Sequence, residues 1–312
     1  MNKHFPLFLI LLGLVGFSQS CGSDGSGTEA STNPDSTPSA EEQRIVSLSG
    51  TITETLFHFG HGEQIVGRDV TSTYPADAVA EIPNLGHVRN LNVEALLGLQ
   101  PTLILVGEDV KENKAIKNLQ DSGIPVVLLP SSNTLDNAIT MAEQFPEALR
   151  NEERLAQMRV DYQNQRRQLD SLLNDGDDYR PRVLFIYARG KGSMMVGGEE
   201  TSASSFIELA GGRNAAEGVS GFQALSVEGL VKAQPDAFLL FTSGLASLGG
   251  EVGLLEVPGV AQTPAGKERR IITMDGLYAL GFTPRATSAA IDLANALNKW
   301  KYQTVLSQEK MN

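Results

Sequence analysis

Apolar residues along this chain fall in short β-branched runs separated by stretches of helical period. Runs at 45–48, 65–67, 103–106 and 126–129 predict strands, with a first helix over 51–59. The pattern resumes further on, with strands at 183–187, 237–241 and 270–273 and helices at 204–210 and 286–300. This alternation predicts an α/β fold of parallel sheets with crossover helices. Between the two groups lies a charged stretch, 146–173, in which Leu155, Met158, Tyr162, Leu169 and Leu172 recur at three-, four- and seven-residue spacings. It holds no Gly or Pro after Pro146, so one continuous one-sided helix is predicted to carry the chain from lobe to lobe. A single rigid link of this kind allows a small rocking rather than a wide hinge closure.

A twelve-residue cassette appears twice. Leu91-Asn92-Val93-Glu94-Ala95-Leu96-Leu97-Gly98-Leu99-Gln100-Pro101-Thr102 returns as Leu225-Ser226-Val227-Glu228-Gly229-Leu230-Val231-Lys232-Ala233-Gln234-Pro235-Asp236. Asn or Ser caps a short helix, Glu sits in its first turn, and Pro ends it before a buried strand. Copies this far apart do not fit a solenoid period and do fit two lobes of similar construction.

The ends add an address. Lys3 followed by an apolar run at 5–17 reads as an export signal, too short to span a bilayer, which takes about 20 apolar residues. Cys21, the only cysteine, follows at once; a lone cysteine excludes an internal disulfide and a cysteine zinc site. Residues 22–42 are Gly, Ser, Thr, Pro and acids without apolar period, the composition of a disordered tether. The expected organisation is signal 1–20, tether 21–43, first lobe 44–145, connecting helix 146–176 and second lobe 177–312. A net charge of −12 argues against nucleic acid as a partner and against binding to an anionic membrane face.

Several segments carry a family likeness: Arg44-Ile45-Val46-Ser47-Leu48-Ser49-Gly50 with Thr53-Glu54, Val66-Gly67-Arg68-Asp69, Thr71-Ser72-Thr73-Tyr74-Pro75, Leu85-Gly86-His87-Val88-Arg89 and Leu209-Ala210-Gly211-Gly212-Arg213-Asn214-Ala215. The longest begins at Pro258-Gly259-Val260 and continues to Met274-Asp275-Gly276-Leu277-Tyr278-Ala279-Leu280-Gly281-Phe282-Thr283-Pro284-Arg285. In this order and spacing they resemble the solute-binding proteins of ABC importers with one helical connector, which handle vitamin B12, siderophores and haem. Within that group the chain is most similar to the haem-binding proteins of the HmuT type. The resemblance implies two Rossmann-like lobes joined by one long helix, a ligand cleft between them, haem as the transported ligand, and no reaction. It also implies an ABC permease with its ATPase as partner, and an outer-membrane receptor or other donor as the source of haem. Cys21 resembles the lipidated cysteine of bacterial lipoproteins, although Ser18-Gln19-Ser20 departs from the usual preceding residues. That implies a periplasmic or cell-surface protein held to the membrane by lipid alone. Glu94 and Glu228 match the positions that meet arginine pockets on the permease in this class; each Glu also favours its own helix N-terminus.

Ferric haem asks for an axial ligand, apolar walls and cations for its propionates; His or Tyr serves the iron, and the planar fork of Arg suits carboxylates. Candidate ligands are His87, Tyr278 and Tyr187. In the haem family Tyr often occupies the place of His87, so phenolate coordination there is in question. Tyr278 can equally bond a propionate or pack on the ring. Arg89, Arg189, Arg285 and Tyr74 are candidate propionate or pocket residues, Arg285 being alternatively the cap of its own loop. Met194 and Met195, read in a Gly-rich loop, either cover a porphyrin face or fill core. His58 and His61 read as solvated or capping. A transition-metal site is disfavoured by too few converging His, and a siderophore or cobalamin ligand remains the main alternative to haem. No nucleophile elbow, phosphate loop or His-Glu-x-x-His helix suggests an enzyme.

Overall fold

The computed structural model describes residues 43–309 apart from Asp175 and Asp177. The expected signal, Cys21 and the tether as far as residue 42 lie outside the described residues. The first lobe is built on β1 (Ile45–Ser47), β2 (Ile65–Arg68), β3 (Leu103–Gly107) and β4 (Val126–Leu129), all parallel, in the order β2-β1-β3-β4. β3 is buried at every position because helices cover both faces. Its side chains alternate accordingly. Leu103 and Leu105 pack with Ile52, Leu56 and Met141, while Ile104 and Val106 pack with Leu96 and Ile116.

The second lobe contains β5 (Arg182–Ala188), β6 (Met194–Gly197), β7 (Arg213–Asn214), β8 (Phe222–Ala224), β9 (Ala237–Phe241) and β10 (Ile271–Met274). Their order is β10-β9-β5-β6-β8, with β7 beside β5. The expected α/β fold is present, but this sheet is mixed: β10, β9 and β5 run parallel, whereas β6 runs antiparallel to both its neighbours, β5 and β8. Only residues 189–193 separate β5 from β6, too few for a crossover. Gly190, at φ 78°, closes a hairpin instead, in which the Arg189 N–H donates to the Ser193 carbonyl at 2.9 Å.

The connecting helix spans Glu152–Leu173 rather than starting at Pro146. Residues Glu147–Leu149 form a separate 3-10 turn, Arg150 is extended, and Asn151 starts the helix by accepting from the Arg154 N–H at 3.0 Å. That side-chain bond is the boundary signal the apolar spacing did not carry. Leu155 and Met158 enter the first lobe's core and Leu169 the second's, with Tyr162 and Leu172 packed against the latter. One helix therefore belongs to both cores. The C-terminal helix, Ala286–Glu309, runs beyond the expected end at Trp300, and Asn298 donates to the Leu172 carbonyl at 3.2 Å.

The repeated cassette is repeated in three dimensions. Its helices, Val93–Gly98 and Val227–Ala233, are capped by Asn92 accepting from the Ala95 N–H and by Ser226 accepting from the Gly229 N–H, both at 3.0 Å. Leu96 and Leu230 are the fully buried anchors. Each helix is followed by a left-handed Gln, Gln100 at φ 49° and Gln234 at φ 39°, before the proline. An arginine from the first strand region of each lobe then closes the helix end. Arg44 donates from Nη2 to the Leu99 carbonyl at 2.7 Å and from Nε to the Gln100 carbonyl at 3.1 Å. Arg182 donates from Nε and Nη2 to the Ala233 carbonyl at 3.1 and 3.0 Å. A cation here satisfies carbonyls that a helix end leaves open and complements its negative pole.

The lobes meet again at residues 281–285. Thr51 Oγ1 donates to the Gly281 carbonyl, Asn137 Nδ2 donates to the Phe282 carbonyl at 3.2 Å, and Arg285 forms a two-pronged ion pair with Glu54 at 2.8 and 2.7 Å. All three partners of this strap belong to the first lobe.

Candidate functional site

A cleft of about 600 Å³ lies between the lobes, and each supplies one wall. The first lobe contributes polar groups, among them Ser49, Thr71, Ser131, Asn133 and the carboxylate of Asp109, together with His87. Buried Asp69 shapes this wall: it accepts from the Thr71 N–H and Oγ1 at 3.1 and 2.6 Å and from Ser72 Oγ at 2.7 Å. Thr71 Oγ1 in turn accepts from the Gly50 N–H at 3.0 Å. Gly50 is required by close approach, since a Cβ there would meet the Thr71 carbonyl oxygen at 2.6 Å and Leu277 Cδ1 at 2.5 Å.

The second lobe's wall is aromatic. Phe185 and Tyr187 sit two residues apart on β5 and so share a face; Phe185 is fully buried and backs the wall, packed edge-on against Phe241 of β9 and Phe222 of β8. Phe241 meets Phe185 edge-on at 5.1 Å and Tyr187 at 5.9 Å between ring centroids. Phe222 is 45% exposed although it is a large apolar side chain, and it faces the cleft. The Arg189 guanidinium lies 5.3 Å from the Tyr187 ring centroid, and no carboxylate pairs with it among the described residues.

The sequence-predicted residues divide clearly. His87, Tyr187 and Arg189 line the cleft, His87 across from the other two. His87 also caps the 3-10 turn Val88–Asn90, its Nδ1 accepting from the Arg89 N–H at 3.1 Å. Arg89 itself lines a separate shallow concavity beside Glu94 and does not line the cleft.

Tyr278 does not line the cleft either. Its hydroxyl donates to Asp292 Oδ2 at 2.8 Å, and burial together with that bond and the Asp292 charge pushes its pKa well above the usual phenol value, away from an iron-binding phenolate. Arg285 is occupied by Glu54 and lies between the rings of Tyr74, 3.6 Å away, and Tyr278, 5.0 Å away. Tyr74 and Arg285 thus belong to the interlobe strap and not to the cleft lining.

Met194 and Met195 lie on a strand, not in a loop, so they face opposite sides. Met194 packs on the second lobe's core with Leu184 and Ile186. Met195 pairs directly with Tyr187 and shares its sheet face. His58 is half-buried rather than solvated, its Nε2 without a hydrogen-bond partner among the described residues, while His61 bonds the Leu149 carbonyl at 3.1 Å. Phe185, Phe222 and Phe241 escaped the sequence reading. The Phe185-x-Tyr187 spacing on one strand was the signal that could have found the wall.

Glu94 and Glu228 are both exposed and form no ion pair among the described residues. Each cassette helix turns directly back into a strand, β3 or β9, so its first turn lies toward the carboxyl ends of the strands. Ligands of open α/β sheets bind at that end. No helix among the described residues is long and apolar enough to cross a membrane.

The chain is similar to the periplasmic heme-binding protein RhuT of Roseiflexus sp. RS-1, solved in apo form, with 38% identity and a TM-score of 0.75 over 82% of this chain and 97% of that one. It is also similar in sequence to an uncharacterised ABC transporter substrate-binding lipoprotein of Bacillus subtilis strain 168, YvrC, at 25% identity over 85% of this chain and 83% of that one. A cobalamin-binding protein of Halobacterium salinarum is 25% identical over 86% of this chain and 74% of that one. The family model described as periplasmic binding protein matches residues 45–278, which takes in β1, the connecting helix and most of both walls of the cleft. The protein therefore belongs to the periplasmic binding protein family, whose members bind solutes for ABC transport and are not enzymes.

Proposed function

We propose that the protein captures haem in the interlobe cleft and delivers it to an ABC permease, with Cys21 as a lipid anchor and residues 22–42 as the tether. The observation that carries this reading is the pairing of opposite walls: His87 on one, and Tyr187 with Arg189 within an aromatic surface on the other. The cleft volume is in the range of small-molecule pockets, about 300–1,000 Å³. Imidazole and phenolate both ligate ferric haem. The Arg189 cation over the Tyr187 ring is positioned to offset the charge of an iron-bound phenolate or to meet a propionate.

His87 must change its hydrogen bonding to serve. Its Nδ1 accepts from the Arg89 N–H, which leaves the proton of the neutral ring on Nε2. Ligation through Nε2 requires that proton on Nδ1 and so gives up the cap, at a cost of about 0.5–1.5 kcal/mol. Glu94 and Glu228, one on each lobe, are the docking points for the permease in this reading.

Cobalamin is the second reading, favoured by the similarity to a cobalamin-binding protein. A titration of the fragment beginning after Cys21 with hemin, and separately with cyanocobalamin, tests both. Saturable Soret change with hemin, altered in His87→Ala and Tyr187→Phe, is expected. Saturable binding of cyanocobalamin without a hemin response would replace haem by the alternative.

A further inference from the structure

The two cassette helices present more than a carboxylate. Glu94 and Leu97 are three residues apart on one helix, and Glu228 and Val231 are three apart on the other, so each pair shares a helix face. Leu97 is 37% exposed and Val231 44% exposed, although the neighbouring Leu96 and Leu230 are fully buried. A single exposed aliphatic residue is ordinary on a protein surface. Here the same exposure recurs at the same register on both lobes, on helices with matching caps, matching left-handed ends and matching arginine clamps.

We propose that each docking surface is composite, Glu94 with Leu97 on the first lobe and Glu228 with Val231 on the second. The partner that fits is a permease of two-fold symmetry, meeting each lobe with a basic side chain bordered by an apolar lip. This rests on the docking role proposed above and adds the aliphatic half of the contact. Two equal surfaces on one chain match a partner that itself carries two equal sites. Among the described residues neither glutamate is paired with a cation, so each is available for one on the partner. An aliphatic neighbour seals the pair from water, which strengthens the attraction between the charges and adds apolar burial of its own.

The test measures docking of haem-loaded protein to the permease–ATPase complex in nanodiscs over a range of salt. Variants are Leu97→Ser/Val231→Ser, Glu94→Gln/Glu228→Gln, and Val160→Ser, an exposed valine on the connecting helix, as control. The aliphatic double variant is expected to bind about tenfold more weakly. Its salt dependence and hemin titration should match the wild type, and the control should be unchanged. The glutamate double variant should lose most of the salt dependence. Wild-type docking by the aliphatic variant alongside failure of the glutamate variant would overturn the composite surface and leave the docking role standing. Wild-type docking by both would overturn the docking role itself.

Discussion

Removing Arg285 should cost far more than breaking a surface ion pair. Its partner Glu54 has a side chain only 4% exposed, whereas Arg285 retains 31%. Loss of one partner from a buried pair costs about 3–5 kcal/mol, because the other charge is left without compensation. Water reaching the arginine side argues for the lower end, about 3 kcal/mol. Loss of the contact with Tyr74 adds about 0.5–1 kcal/mol. Arg285→Ala is therefore expected to destabilise by about 3.5–4 kcal/mol, and Glu54→Gln by roughly 2–3 kcal/mol, since the amide oxygen still accepts one bond. Urea unfolding at neutral pH, followed by far-UV circular dichroism, reads both. The paired replacement Glu54→Leu/Arg285→Met should recover much of the loss, as apolar substitutes for buried pairs often do. A loss below about 1 kcal/mol for Arg285→Ala, declining further with salt, would mean the pair behaves as an exposed one and would refute the reasoning.

Four further outcomes are expected. Burial, reinforced by the Arg154 charge, holds the His58 pKa below its ordinary 6.5, so the unfolded chain takes up this proton first. Wild type should thus lose stability relative to His58→Gln as pH falls below 6.5 through the lowered folded value, and parallel melting curves across that window would contradict the burial. Arg44→Ala and Arg182→Ala should each cost about 1.5–3 kcal/mol in chemical unfolding, while Arg44→Leu recovering wild-type stability would deny the carbonyl clamp. Gly50→Ala should weaken ligand binding as well as stability, by about 1–3 kcal/mol in the latter, because the new methyl displaces the Thr71 loop; unchanged crystal geometry and binding would deny the close approach. Tyr278→Phe should leave the hemin spectrum as in wild type, and a shifted Soret band would return Tyr278 to the iron.

Much of the framework was legible because strands buried on both faces write themselves as apolar runs. The central run 103–106 and the run 237–241 are the clearest, each following a capped cassette helix. What escaped was decided by hydrogen bonds rather than by apolar spacing. Asn151 ends an extended link and starts the connecting helix although the residues before it also read as helical. β6 was hidden because Met194 and Met195 lie beside glycines that suggest a loop, while Gly190 in fact closes a hairpin. At the site, residue type singled out His87, Tyr187 and Arg189, which line the cleft. It could not separate Arg189 from Arg285, because the partner that claims Arg285, Glu54, is 231 residues away. The arginine clamps on the cassette helices were invisible for the same reason.

The strap at residues 281–285 gives the lobes a second fastening beside the connecting helix. A body held at two separate places keeps rotation about the line through them and loses most other freedoms. Any relative swing of the lobes then has a single axis, and displacement grows with the lever arm from it. The distance between Glu94 and Glu228 becomes a gauge of that one angle. A partner gripping both lobes would read that angle directly.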